Sequence, residues 1–414
     1  MSSGQPFANP FRPGAGHLPP YLAGRKEEER EFRRLLKQTT VMENMILTGL
    51  RGVGKTVLTE TFKPIAQQEG WLWVGTDLSE SASISEANLA ERLLTDLSVV
   101  TRNIAMGKSV QLSLGFTGHD TETALTLGYE RLSSIYEQTP GLIADKLKAV
   151  FVAVAPFVQR SGKRGIIFAY DEAQNLSDHA AKEQYPMSLL LDVFQSIQRQ
   201  NIAFMLVLVG LPTLFPKLVE SRTYAERMFR VIFLKQLNEQ ESRDAITKPV
   251  EAAKCPVKFG ESSIELVVKH SGGYPYFIQF MCREAFDAWI QKTTDGDPPR
   301  VPIGEITRKL DNDFFAGRWA RVTDRQQELL HVISQLTTAN EEFTVQEILA
   351  KSNEELRKPF GRSHVNQLLS ALIHAGLIYK DRHGKYLFAV PLMAEFIRRI
   401  MMRNYGNYGD SAFN

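Results

Sequence analysis

Cysteine is almost missing from the sequence: Cys255 and Cys282 are the two among 414 residues. That scarcity excludes a disulfide framework and a cysteine-rich zinc site, and it fits a reducing compartment. The histidines do not fill the gap, because His17, His179, His270, His331 and the others show no metal-ligand spacing with acids or cysteine. They read as structural or solvated. Long apolar runs are lacking too. The longest, around 149–158 and 202–211, fall far short of the ~20 residues that cross a bilayer. The N-terminus also has no cationic region leading into an apolar one, as a secretory signal would. A soluble, cytoplasmic protein with no membrane partner is expected. Nor does charge of one sign dominate: 49 Lys and Arg face 47 Asp and Glu, a formal +2. Polyanion binding driven by total charge is thereby excluded, and any nucleic-acid surface must be local.

What is present is enough chain, at 43% hydrophobic content over 414 residues, for two or three cores rather than one. The first twenty residues carry five prolines and three glycines, a composition that forms an irregular tail, free to dock on the body but unable to make a core alone. From residue 21, helical patterns alternate with β-rich runs at 45–48, 71–75, 165–170, 202–209 and 231–234. Such alternation predicts an α/β fold, a parallel sheet with helices on both faces. Trp71 and Trp73, two apart in one run, read as core on one face. A long insertion separates the second run from the third, with amphipathic residues at 85–103, strand-like alternation at 109–116 and an apolar helix at 141–159.

After residue 236 the β-rich runs stop, and helices are predicted over 239–252, 262–270, 276–291 and 303–315. The last unit has three helical patterns, then short strands at 377–379 and 386–389 around a polar turn at 381–385, the order of a winged-helix form of helix-turn-helix. The expected domains are a tail at 1–20, an α/β domain at 21–236 with its insertion at about 76–164, a helical domain at 237–318, a winged helix at 319–400 and a tail at 401–414.

The sharpest motif is Gly49-Leu50-Arg51-Gly52-Val53-Gly54-Lys55-Thr56, which matches G-x-x-x-x-G-K-[ST] between an apolar run and a helical pattern. Glycines let backbone N–H groups curl around phosphates, and the positive end of the following helix adds to the field. Lys55 is expected to reach the β- and γ-phosphates of ATP, Thr56 to give its hydroxyl to Mg²⁺, and Val57 to complete the loop's contacts. A second element is the apolar run 165–170 closed by Asp171 and Glu172. An Asp at such a strand end holds the Mg²⁺ hydration shell in P-loop proteins, and the next Glu is placed to polarise the attacking water.

These two motifs, the opening Tyr21-Leu22-Ala23-Gly24-Arg25-Lys26-Glu27-Glu28, the later Gly272-Gly273-Tyr274-Pro275 and the terminal winged-helix pattern together resemble the AAA+/STAND group of ATPases, over about residues 21–399. Within it the chain looks most like bacterial and archaeal ATPases similar to origin-recognition initiators. The resemblance implies that residues 22–25, Arg25 included, lie over the adenine and that Pro275 contacts the base; the bland alternative for 272–275 is a turn opening a helix. It implies an arginine that senses the γ-phosphate where this sequence has Tyr276, and a polar residue at the fourth strand's end, where Gly210-Leu211-Pro212 has none unless Thr213 serves. Slow hydrolysis is the consequence. Arg227 stands where such families carry an arginine finger acting across a subunit interface, or else caps a helix end.

In the winged helix, 362–375 would be the recognition helix, with Arg362, Ser363, His364, Asn366 and Gln367 exposed, and Lys380, Arg382, His383 and Lys385 on the wing. Yet residues 323–414 balance eleven Lys and Arg against ten Asp and Glu. Two readings follow for an ATP-hydrolysing switch: one acts on double-stranded DNA through this module, and the other is a signalling or defence switch whose module contacts protein, either an effector or a second copy.

Overall fold

Each short apolar run becomes a strand because its residues can be buried on both faces, and each amphipathic run between them becomes a helix that covers one of those faces. A computed structural model of the protein describes residues 8–14, 16–111, 121–254, 259–295, 301–382 and 384–409. Cys255, His383 and residues 112–116 of the alternating segment lie outside these, as does the side chain of Arg382. Two compact units divide the chain. One, the sheet unit, is Arg25–Thr48 with Lys55–Phe233; the other, the C-terminal unit, is Met1–Gly24 with Gly49–Gly54 and Leu234–Asn414.

The strands preceding the lid are β1 (Asn44–Gly49), β2 (Trp71–Asp77), β3 (Ala105–Gln111), β4 (Thr121–Thr126), β5 (Gly165–Asp171), β6 (Phe204–Gly210) and β7 (Phe229–Leu234). Five form one sheet in the order β2-β5-β6-β1-β7, and the pairs β2–β5, β5–β6 and β6–β1 are parallel. β1 and β6 are buried throughout their length, as befits central parallel strands. Their register is fixed at the start of β1 by the buried Asn44, whose side chain accepts from Leu206 N–H at 2.8 Å and exchanges hydrogen bonds with Gln198 at 2.9 and 3.2 Å. On one face, Phe168 of β5 meets Phe194 at 5.2 Å and Phe151 at 5.6 Å between ring centroids. Trp71 and Trp73 are both buried, and the Trp71 indole donates to the Leu36 carbonyl at 3.2 Å. The insertion holds the helices Glu86–Thr101, Tyr129–Gln138 and Ile143–Arg160, with β3 and β4 as a separate antiparallel hairpin.

The C-terminal unit has its own core. Its first helices are Glu239–Ala252, Glu261–Ser271, Pro275–Asp295 and Ile303–Leu310. The single helix expected over 303–315 instead changes at Asp311 into a π-helical turn, Asp311–Ala316. Wide turns of this kind tend to occur where a side chain must be re-aimed. Here Asp311, 2% exposed, points inward to accept from Arg399 at 2.6 and 3.2 Å and from Arg403 at 3.4 Å. Next come the helix Asp324–Ser334, β8 (Phe343–Thr344), the helices Val345–Glu355 and Arg362–His374, the strands β9 (Ile378–Arg382) and β10 (Lys385–Phe388), and the helix Met393–Gly409. The expected two-stranded wing is a three-stranded sheet, β8-β10-β9. The N-terminal tail docks on the lid: Phe11 is 2% exposed and lies edge-on to Phe259, while Asn9 donates to the Arg283 carbonyl at 3.0 Å. Among the described residues no helix is long and apolar enough to cross a membrane.

Candidate nucleotide site

In a parallel sheet the carboxyl ends of neighbouring strands share one edge, where loops are free to diverge and bind ligands. β5, β6 and β1 are consecutive in the sheet, so Asp171, Gly210 and Thr48 end side by side there, with Thr48 paired to Gly210. Lys55 and Thr56 open the helix Lys55–Gln68 immediately after the loop. The Thr56 hydroxyl donates to Asp171 Oδ2 at 2.6 Å, although 115 residues separate the two. Burial pushes the Asp171 carboxyl above its ordinary range; the Thr56 hydroxyl, the Glu172 N–H at 2.7 Å and the Lys55 charge work in the opposite direction.

Glu172 has φ 52 and ψ 31, a left-handed conformation that an acid residue adopts only when its surroundings hold it there. Its carboxylate accepts from the side chain of Gln174, which in turn accepts from Leu211 N–H at 3.0 Å. Thr213, the candidate polar residue near the end of β6, precedes the helix Leu214–Ser221 and makes no capping hydrogen bond with its side chain.

The turn of the P-loop, Gly49–Gly54, belongs to the C-terminal unit. Gly52 and Gly54 have φ 79 and 91, values at which a side chain would be strained. Tyr276 stands where a γ-phosphate-sensing arginine was expected; its backbone N–H donates to the Gly52 carbonyl at 3.1 Å. Its ring lies 5.1 Å from that of Phe314, over which the guanidinium of Arg318 stacks at 4.3 Å. Burial, Arg51 of the P-loop and Arg321 push the Arg318 guanidinium down, and Tyr276 partly offsets them. Leu50 and Arg51 are partly exposed, and Val53 is buried.

The remaining expected residues are more scattered. Arg25 is buried at the start of the helix Lys26–Leu36, 3.7 Å from Glu28, and Val57 is half-buried one residue beyond Thr56. Pro275 begins the helix Pro275–Asp295. Arg227 is exposed on the short helix Ala225–Met228, with no carboxylate or carbonyl among the described residues bound to its side chain. Gln174 and Arg318 went unrecognised in the sequence. Gln174 carried one signal, its place two residues after Glu172. Arg318 carried none.

No functionally curated protein matches the chain in sequence. A domain of unknown function, DUF8462, matches residues 312–397, from the second residue of the π-helical turn into the last helix. Among solved structures the chain is similar to the ORC2 protein of Aeropyrum pernix in its ADPNP–ADP complexes, with a TM-score of 0.53 at 13% identity over 95% of this chain and 98% of that one. The ADP form of the same protein gives 0.52 at 14% identity, over 95% and 97% of the two chains. The chain has the fold of an origin-recognition AAA+ ATPase. In this AAA+ fold β6 lies between the P-loop strand and the Asp171 strand, which is how residues far apart in sequence reach one edge. A magnesium ion fits the oxygens found there, one hydroxyl and one carboxylate 2.6 Å apart. Mg²⁺ takes few protein oxygens and keeps several waters.

Proposed function

We propose that the protein is an ATP-hydrolysing switch that acts on double-stranded DNA. The observation that carries the nucleotide part is the Thr56–Asp171 hydrogen bond, since these two groups have no reason to converge in a mere turn and every reason to at a magnesium–phosphate site. Lys55 pairs with the β- and γ-phosphates, and the P-loop N–H groups cradle them. Thr56 and Asp171 would hold Mg²⁺, which would supply positive charge against that developing on the phosphoryl oxygens. Glu172 takes the proton of the attacking water. Arg25 and Pro275 flank the base.

The switch follows from where the P-loop turn sits. Because Gly52 is bonded to Tyr276 at the head of the lid helix, a change in what the loop holds is felt within the C-terminal unit, and differential contact with the γ-phosphate biases its conformation. Self-association is part of the proposal: an exposed Arg227, with no partner among the described residues, suits an arginine finger better than a helix cap. Arg227→Ala is expected to lower turnover about 10³-fold at protein concentrations where wild-type turnover per subunit rises with concentration, and to leave dilute protein unchanged. A wild-type rate independent of concentration and equal to that of the variant leaves Arg227 without this role.

For DNA, the exposed residues of the helix Arg362–His374 include Arg362, Ser363, Asn366 and Gln367; His364 is half-buried, edge-on to Phe360 at 5.5 Å. The turn before it adds exposed Arg357 and Lys358, and the wing adds Lys380. Lys385 is less available, because it faces Glu347. Neutralising Lys358, Arg362 and Lys380 together is expected to reduce the salt slope of duplex binding by roughly 3 and to weaken all sequences alike. The second reading, a module that contacts protein, is favoured by the near-neutral balance of residues 323–414 and by the Asp311–Arg399 brace. It takes over if the purified protein binds no duplex at low salt with ATP, ADP or neither.

A further inference from the structure

A strand end beside a reacting phosphate is a place for a polar side chain, and β6 ends without one in Gly210, Leu211 and Pro212. The carboxamide of Gln174, borrowed from the neighbouring β5 loop, fills that position. Its Oε1 accepts from Leu211 N–H at 3.0 Å, and its Nε2 donates to Glu172 Oε2. Gly210 leaves room for it: a Cβ there would come within 2.7 Å of the Gln174 oxygen. The loop behind it is pinned from other sides, by Lys217 Nζ to the Gln174 carbonyl at 3.0 Å and to Ser177 Oγ at 3.3 Å, and by Asn175 Nδ2 to the Leu78 carbonyl at 2.9 Å. Half-buried Lys217, pushed down by burial, has an apolar stem and two oxygen partners to hold it there.

We infer that Gln174 is the positioning residue for Glu172, an inference that rests on the ATPase reading above. An amide has one acceptor end and one donor end. With the oxygen tied to β6, the donor end has a fixed direction, and Glu172 lies in it. One carboxylate oxygen of Glu172 is thus held, and Oε1 is left to accept the water proton as the water oxygen bonds to the γ-phosphorus and the bond to ADP breaks. Glu172 is the catalytic residue; Gln174 acts through it.

The two ends of the amide can be separated. Gln174→Met keeps the length and removes both hydrogen bonds, whereas Gln174→Glu keeps the acceptor for Leu211 and loses the donor to Glu172. Calorimetry with ATP and magnesium should give dissociation constants within twofold of wild type for both, which also certifies their folding. Single-turnover hydrolysis should fall about 10- to 100-fold in Gln174→Met, the penalty of a misplaced reacting group, and at least as far in Gln174→Glu. In a Glu172→Gln background Gln174→Met should cause no further loss, because the two changes act on one group. Gln174→Glu at the wild-type rate, or losses that multiply in the double variant, would assign Gln174 a merely structural role and overturn the inference while leaving the ATPase reading intact. Wild-type protein that binds ATP but never hydrolyses it overturns the ATPase reading and the inference together.

Discussion

Lys55→Ala is expected to weaken ATP binding by about 100-fold or more while leaving the protein folded. Lys55 begins the helix Lys55–Gln68, directly after a turn whose glycines hold φ 79 and 91, and in the proposed function its ammonium pairs with the phosphates that the loop's N–H groups cradle. Each hydrogen bond from a charged group contributes about 1.5–3 kcal/mol. Losing one to each of two phosphates costs on the order of 3 kcal/mol, which is about two decades in dissociation constant. The fold should survive because Lys55 lies outside both hydrophobic cores and alanine is the best helix former. One effect in the free protein adds to this loss: Lys55 helps hold the Asp171 carboxyl down against burial, so its removal also makes the carboxylate at that position less available. Titration calorimetry at fixed magnesium is the measurement. An ATP affinity equal to wild type would mean that the phosphates do not sit in this loop.

The parts of this site that could be read from the sequence are those built by local chemistry. The P-loop needs glycine where φ is positive and a Lys-Thr pair at a helix start, and β5 needs an apolar run closed by acids; each is contiguous in the chain. The strand runs also stood out, because buried parallel strands leave unbroken apolar stretches such as 165–170. What depends on strand order did not. Gln174 reaches Leu211 only because β6 is the neighbour of β5, a fact that no spacing along the chain encodes. The π-helical turn at Asp311–Ala316 hides in the same way, since its apolar pattern matches an ordinary helix and the inward Asp311 makes sense only once Arg399, 88 residues later, is beside it. Arg318 is set by that turn, through its stacking on Phe314. The tail's composition announced irregularity, yet Phe11 between Phe259 and Phe286 is as buried as a core residue.

Glu172→Gln should preserve ATP binding and arrest hydrolysis. The substitution is nearly isosteric and introduces no new backbone strain, since glutamine at φ 52 is no worse placed than the glutamate it replaces. Its amide can still pair with the carboxamide of Gln174, so the turn Ala173–Asn175, held through Gln174 by Lys217 and Leu211, should keep its position. The change removes basicity alone. An amide cannot take the water proton at neutral pH, and loss of a positioned general base lowers the chemical step about 10²- to 10⁴-fold. Nucleotide recovered with the variant after rapid gel filtration should therefore be ATP, whereas wild type under the same conditions should carry ADP. The contrast with Lys55→Ala is the useful one: the first variant should fail to retain nucleotide, and this one should retain it unhydrolysed. If Glu172→Gln turns over ATP at the wild-type rate, the proton goes elsewhere, and Asp171, the neighbouring carboxylate raised by burial, is the next group to test.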